Sequence, residues 1–178
     1  MTHYDELYSK GGFKYRRDQF NKYVDDVLVG KLRMSGSVLD APCGDGYFSR
    51  LLRSRGMTVT SSDLSKEGCK KAGGIVFDLE RPNLQWVNEF DWVYSRAITH
   101  LHYKDLYKSN TRLVFRHMLR YAPKVVVVYS TSQTNRDSGN HFNHTRANLD
   151  QFFRSICGGG LASFMYKTYY HAVMSNQE

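Results

Sequence analysis

The segment Val38-Leu39-Asp40-Ala41-Pro42-Cys43-Gly44-Asp45-Gly46-Tyr47-Phe48 constrains this chain more than any other. It reads as a short strand opening at Ser37, an acidic residue at the strand end, a tight turn with two glycines in alternate positions, and a helix from Tyr47. Glycine suits such a turn because the backbone must bend sharply, and a ligand can approach where no Cβ stands in the way. The helix that follows offers unpaired N–H groups and the positive end of its dipole. Asp40 stands where a ligand ammonium could be held. A plain strand-turn-helix connection has the same outline, and dinucleotide folds use a related loop, so the turn alone leaves its ligand open.

The rest of the chain repeats the alternation of short apolar runs with amphipathic ones. A basic, aromatic helix is expected from about Gln19 to Leu32, and the helix after the turn from Tyr47 to Arg55. Strands are expected at Thr58–Ser62, ending in Asp63, at Gly74–Phe77, ending in Asp78, and at Asp91–Ser95, with a short helix Lys66–Ala72 after the first of these. Leu106, Leu113, Phe115, Met118 and Leu119 give helical spacing to Asp105–Tyr121, which stops before Pro123. Lys124–Tyr129 is β-branched without polar alternation, as befits a strand buried on both faces. A helix capped by Thr145 runs to Ser155, and Ala162–Met174 reads as two strands of a hairpin. Strands alternating with helices imply right-handed crossovers. The expected fold class is therefore α/β: a three-layer αβα sandwich on a doubly wound, mostly parallel, seven-stranded sheet with a C-terminal antiparallel hairpin strand. Ligands of such sheets bind beyond the carboxyl ends of the strands.

Composition narrows the classes. The 178 residues, 41% hydrophobic and 24% charged, suit one folded domain over residues 1–178, with 1–18 as an N-terminal lid. No apolar run approaches the ~20 residues of a membrane helix, so no membrane partner is expected. The amino terminus lacks the basic start and apolar run of a signal peptide, and a cytoplasmic protein is expected. Cys43, Cys69 and Cys157 are far apart without C-x-x-C spacing, which fits free thiols rather than a disulfide frame or a zinc site. The net charge of +8 is unevenly spread: residues 1–95 carry 14 Lys/Arg against 13 Asp/Glu, residues 96–178 carry 11 against 4. That excess suits either an anionic partner or simple solubility.

Asp63 lies 23 residues after Asp40 at the end of the second strand, where an acidic side chain can accept both hydroxyls of a ribose. Asp78 ends the third strand, placed to meet an adenine amino group while Phe77 or Leu79 contacts the ring. Single aspartates often form turns or caps; three ending three successive strands form a pattern. With these residues the chain resembles a class I, Rossmann-like, S-adenosylmethionine-dependent methyltransferase. Asp40, Gly44 and Gly46 match the family's acidic–x–Gly–x–Gly–x–Gly signature, and Pro42 stands where its first glycine is usual. The resemblance covers residues 18–174. It implies S-adenosylmethionine as cofactor and S-adenosylhomocysteine as product. Asp40 and the turn Ala41, Pro42, Cys43, Gly44 and Gly46 would surround the methionine part. Asp63 with Leu64 would take the ribose, Phe77, Asp78 and Leu79 the adenine, and Ser95, Arg96 and Ala97 would line the sulfonium. A nicotinamide-binding domain matches less well, because the third glycine of G-x-G-x-x-G falls at Ser49.

Acceptor choice in this family lies in the N-terminal segment and the loops after strands four and five, here residues 4–17, 96–103 and 131–144. His100 is the expected general base, since neutral imidazole takes a proton near pH 7, and Arg96 the expected acceptor contact; a helix-capping His100 reads equally well. Asn135, Arg136 and His141 suit a polar or anionic acceptor. His100, His141 and His144 lack an acidic partner at ligand spacing, and no metal is expected. Lys104, Lys108, Arg112, Arg116 and Arg120 recur every four residues, a row that would either track a phosphate backbone or form a solvated face. No Asp/Asn-Pro-Pro-Tyr/Phe motif follows strand four, which disfavours the base-flipping amino-methyltransferases. Tyr8–Arg17, with its double glycine, resembles a lid and reads equally as a disordered basic tail. The leading expectation is a small-molecule methyltransferase. Its alternatives are a methyltransferase of nucleic acid, bound through the basic C-terminal half, and a catalytically silent cofactor-binding subunit.

Overall fold

The computed structural model describes residues 3–12, 17–102, 105–130 and 144–175. Its strands are β1 (Ser37–Asp40), β2 (Thr58–Asp63), β3 (Ile75–Val76), β4 (Trp92–Arg96), β5 (Lys124–Ser130), β6 (Leu161–Tyr166) and β7 (Tyr169–Ser175). Its helices are α1 (His3–Ser9), α2 (Arg17–Tyr23), α3 (Tyr47–Arg53), α4 (Lys66–Ala72), α5 (Ser109–Tyr121) and α6 (Arg146–Cys157). The strands form one seven-stranded, mostly parallel sheet in the order β3-β2-β1-β4-β5-β7-β6, with the C-terminal hairpin antiparallel, the fold class expected from the sequence. Among the described residues no helix is long and apolar enough to cross a membrane.

The chain divides into two compact units, Met1–Asp78 with Phe90–Trp92, and Leu79–Glu89 with Val93–Glu178. In the first, β1 pairs parallel with β2 from Ser37↔Thr58 to Asp40↔Ser61, and β2 with β3 at Ser62↔Ile75 and Asp63↔Val76. The register brings the ends of these strands together, because the parallel ladder leaves all carboxyl ends on one side. The third strand is shorter than expected, although Phe77 N–H still donates to the Asp63 carbonyl at 2.9 Å. The helix expected from Gln19 to Leu32 is α2 followed by a π-helical stretch, Val24–Lys31. There Leu32 N–H reaches back to the Val27 carbonyl, and a Cβ on Gly30 would stand 2.9 Å from the Asp25 carbonyl oxygen.

In the second unit β5 pairs antiparallel with β7, and β7 with β6. Val125–Val128 are at most 1% exposed, as the unbroken β-branched run requires. The helix expected from Asp105 begins instead at Ser109, because the Asp105 carboxylate accepts Tyr107 N–H at 2.9 Å and closes a local turn that competes with the helix. Leu113, counted into the apolar spacing, is 42% exposed, while Val114, Phe115 and Met118 are fully buried. Phe115, Phe152 and Phe153 meet edge to face with centroids 5.2–6.0 Å apart, and Phe153 stacks on Tyr170. Thr145 caps α6, its hydroxyl accepting Asn148 N–H.

Gly44 and Gly46 adopt φ of 56° and 78°. A Cβ on Gly46 would lie 2.7 Å from Cα and Cβ of Ala72, so this glycine lets the turn pack on α4. Gly73, at φ 62°, has nothing within 4 Å of that position. Gly73→Ala is therefore expected to cost about 1 kcal/mol for its left-handed backbone, and Gly46→Ala about 1–3 kcal/mol beyond that from overpacking. Urea unfolding of the two variants checks the order; equal losses would show that the Ala72 contact contributes nothing.

Candidate active site

Ten of the residues expected to hold a ligand lie in the first unit: Asp40, Ala41, Pro42, Cys43, Gly44, Gly46, Asp63, Leu64, Phe77 and Asp78. Cys43 N–H donates to the Ser62 carbonyl at 2.8 Å, which ties the turn after β1 to the end of β2. Asp63 completes the tie: its Oδ2 accepts Gly44 N–H and its Oδ1 accepts Ser65 N–H, each at 2.8 Å. Burial pushes the Asp63 carboxyl up, against the pull of these amides. The Ala41–Pro42 peptide is cis, and all three cysteines are free. Leu64, Ile75 and Val76 leave apolar surface exposed beside Asp63.

Asp40 does not stand open to a ligand ammonium as the sequence suggested. It is 1% exposed, and the Ser49 hydroxyl of α3 donates to its Oδ2 at 2.5 Å. Ser49 in turn accepts from Ser61, which accepts from Arg53. Burial pushes the Asp40 carboxyl up to about 7, helped by nearby Asp63 and opposed by the Ser49 bond and Arg53. The sequence gives Ser49 away only in retrospect: it lies nine residues on, at the point where a third glycine would stand in a dinucleotide loop.

The described part of the expected lid is α1, and it is clamped. Asp5 Oδ1 accepts the Ser65 hydroxyl at 2.6 Å and Glu67 N–H at 3.3 Å, and the Lys71 ammonium donates to the Tyr8 carbonyl. Tyr8 is 5% exposed, and a Cβ on Gly44 would fall 2.6 Å from its hydroxyl oxygen.

The second unit holds Leu79, Ser95, Arg96, Ala97 and His100. Ser95 is fully buried, and its hydroxyl has no hydrogen-bond partner among the described residues. The Arg96 guanidinium sits 4.9 Å from the Tyr169 ring centroid, an arrangement that holds its charge in place at the end of β4. Ala97 has φ 54°, a left-handed backbone unusual outside glycine, while its N–H still reaches the Val128 carbonyl. His100 Nε2 lies 2.8 Å from Glu80 Oε1, a partner 20 residues away that spacing rules do not point to. Asn135, Arg136 and His141 lie outside the described residues, as does Lys104. His144 is buried and donates its N–H to the Tyr129 hydroxyl. Among the described residues no group of three or more His, Cys, Asp or Glu could hold a metal ion.

No family model matches the chain. A curated relative, the malonyl-[acyl-carrier protein] O-methyltransferase of Buchnera aphidicola subsp. Baizongia pistaciae, is 30% identical over 48% of this chain and 44% of its own length, so the match spans less than half of that protein. A solved structure from Pyrococcus horikoshii OT3 superposes with a TM-score of 0.70 at 16% identity, covering 92% of this chain and 93% of the other. The magnesium protoporphyrin IX methyltransferase of Synechocystis PCC 6803 gives 0.62 at 18%, over 94% and 87%. A TehB-like methyltransferase of Corynebacterium glutamicum gives 0.61 at 17%, over 97% and 93%. The chain has the class I methyltransferase fold. In a class I sheet the turn after β1 and the end of β2 open on the ligand side, and in this chain Asp63 binds the two together.

The raised Asp40 carboxyl makes stability depend on pH. Between about pH 4 and 7 the native acid keeps its proton while the unfolded one has lost it, so stability falls as pH rises through that window, by about 1.4 kcal/mol for each unit of separation. Asp40→Asn keeps an acceptor for Ser49 and removes the titration. Its urea-unfolding free energy is expected to decline less than wild type between pH 5 and 8; parallel declines would remove Asp40 as the cause.

Proposed function

We propose that the chain is an S-adenosylmethionine-dependent methyltransferase acting on a small polar or anionic acceptor, with S-adenosylhomocysteine as product. The observation that carries this reading is the end of β2. Gly44 N–H and Ser65 N–H each reach one oxygen of Asp63, and a carboxylate has about four lone-pair sites, so it retains capacity to accept from a sugar hydroxyl. Leu64 and Val76, 56% and 48% exposed, set apolar surface beside that carboxylate, and a nucleoside needs both. The names of the relatives support the reading: the Buchnera protein is an O-methyltransferase, and the Synechocystis enzyme was crystallised with S-adenosylmethionine and with S-adenosylhomocysteine.

When bound, the cofactor supplies a methyl group made electrophilic by a sulfonium. The chain's own part is to position and desolvate. The Ala41–Gly46 turn encloses the methionine part with its backbone, while Asp40 fixes the turn from beneath through Ser49. Asp63 takes the ribose, with Leu64, Phe77 and Asp78 around the adenine. Arg96, held over Tyr169, draws an anionic acceptor, and His100 takes its proton where one must leave.

A groove of about 460 Å³ favours a second reading, a nucleic-acid acceptor. It is lined by Tyr107, Asn110, Arg112, Leu113 and Arg116, with the Arg112 guanidinium 5.5 Å from the exposed Tyr107 ring. Stacked aromatic and guanidinium groups beside a basic row suit single strands.

Calorimetry with S-adenosylhomocysteine tests the first reading. Wild type is expected to bind, and Asp63→Ala to bind about tenfold to a hundredfold more weakly, the loss of hydrogen bonds to a charged group, with Gly73→Ala as a matched folding control. No binding by wild type, or no loss in Asp63→Ala, ends it. Retention on heparin with a steep salt slope, lost in Arg112→Gln/Arg116→Gln, would favour the second.

A further inference from the structure

His100 and Glu80 are joined by more than a surface contact. Glu80 Oε1 receives both His100 Nε2 at 2.8 Å and the Asn110 amide Nδ2–H at 3.1 Å, so two donors converge on one oxygen. The loop that carries Glu80 is fastened along α5. The His117 ring lies with Nδ1 3.1 Å from the Leu79 carbonyl, Asn83 N–H donates to the Tyr121 hydroxyl, and Asn88 N–H donates to the Arg120 carbonyl. Asn110, His117 and Tyr121 lie on one face of the helix, since seven residues are close to two turns and four are little more than one. The Glu80 carboxylate is thus fixed in space by backbone anchors on either side of it.

Its chemistry then decides the tautomer of the histidine. An ionised carboxylate can only accept, so the proton on the shared contact belongs to Nε2, and the lone pair of the neutral ring belongs to Nδ1. The His100 bond holds the Glu80 carboxyl below the usual range, which keeps it ionised. An ion pair whose Glu80 side chain is 41% exposed contributes little to stability, whereas His100 itself is 16% exposed. The yield of the contact is orientation.

We propose that Glu80 is a positioning residue for His100, holding the ring as its Nε2–H tautomer so that an acceptor hands its proton to Nδ1. The proposal rests on the reading of His100 as the base. The acceptor's O–H or N–H bond breaks, its electron pair stays with the acceptor for the new bond to carbon, and the proton becomes the Nδ1–H of an imidazolium. That cation stays paired with Glu80, and the starting tautomer returns when Nδ1 loses the proton to solvent base after the product has left.

Long-range ¹H–¹⁵N spectra of the full chain at about pH 8, above the ordinary range of histidine, read the tautomer directly. The His100 signals are assigned by their loss in His100→Gln. Wild type is expected to show Nε2–H. Glu80→Gln, whose carbonyl still accepts, is expected to keep it, and Glu80→Ala to shift to a mixture. Calorimetry with S-adenosylhomocysteine is run on the same samples, and Glu80→Ala is expected to bind within about twofold of wild type, as a surface change should. An Nδ1–H tautomer in wild type, or an unchanged ratio in Glu80→Ala, overturns the proposal. A tautomer change accompanied by lost binding also overturns it, because Glu80 would then be holding the fold. Failure of wild type to bind S-adenosylhomocysteine ends the methyltransferase reading instead, whatever the tautomer.

Discussion

The carboxylate of Asp63 fastens the glycine turn, 19 residues back in sequence, to the start of α4. It ends β2, receives the amide of Gly44 on one oxygen and the amide of Ser65 on the other. Ser65 is itself the cap of α4, its hydroxyl accepting Gly68 N–H and donating to Asp5 of α1. The glycine turn, the strand end, the start of α4 and the N-terminal helix are therefore links of one hydrogen-bonded chain. Two amides arriving at two different oxygens need a carboxylate; an asparagine offers one acceptor oxygen and a donor in place of the other. Burial and the neighbouring Asp5 both work against the charge.

The parts of this arrangement that were legible in the sequence are those whose causes are local. The β-branched run at Val125–Val128 is buried because no polar residue interrupts it, and Thr145 caps α6 because its own hydroxyl reaches the amide three residues on. The aspartates that end β1 and β2 could be placed by strand length alone. What those aspartates touch could not. Asp40 turns to Ser49 rather than outward, and Asp5 meets Ser65 across 60 residues of chain. The start of α5 was misplaced for a local reason that runs the other way: Asp105 satisfies an amide in a turn of its own and so ends the competition for helix before Ser109. Leu113 shows the limit of periodicity, since helical spacing gives faces but does not say which side of a borderline residue meets the core.

The anchoring of the loop at residues 79–89 belongs to the same class of long-range fact. Tyr121 accepts Asn83 N–H through its hydroxyl and packs edge to face on Trp86 at 5.6 Å, so one side chain holds the loop by both its polar and its apolar parts. This explains why the loop belongs to the compact unit of α5 although it follows β3 in sequence.

α5 consequently carries three tasks on one surface of revolution. Val114, Phe115 and Met118 fill the core, Asn110, His117 and Tyr121 hold the loop, and Arg112, Arg116 and Arg120 form the outer row. At 100° per residue the arginine row advances by about 40° at each step, so it cannot stay on one line and instead winds from beside the groove at Tyr107 toward the loop-bearing end. Arg112 lies where the faces meet: its guanidinium donates to the Ser155 hydroxyl at 3.0 Å and lies over Tyr107, while its buried Nε has no partner among the described residues. A lysine there would keep the charge and lose the planar group that makes both contacts. The fit at position 112 is thus one of shape as well as charge, whereas Arg116 and Arg120 are exposed.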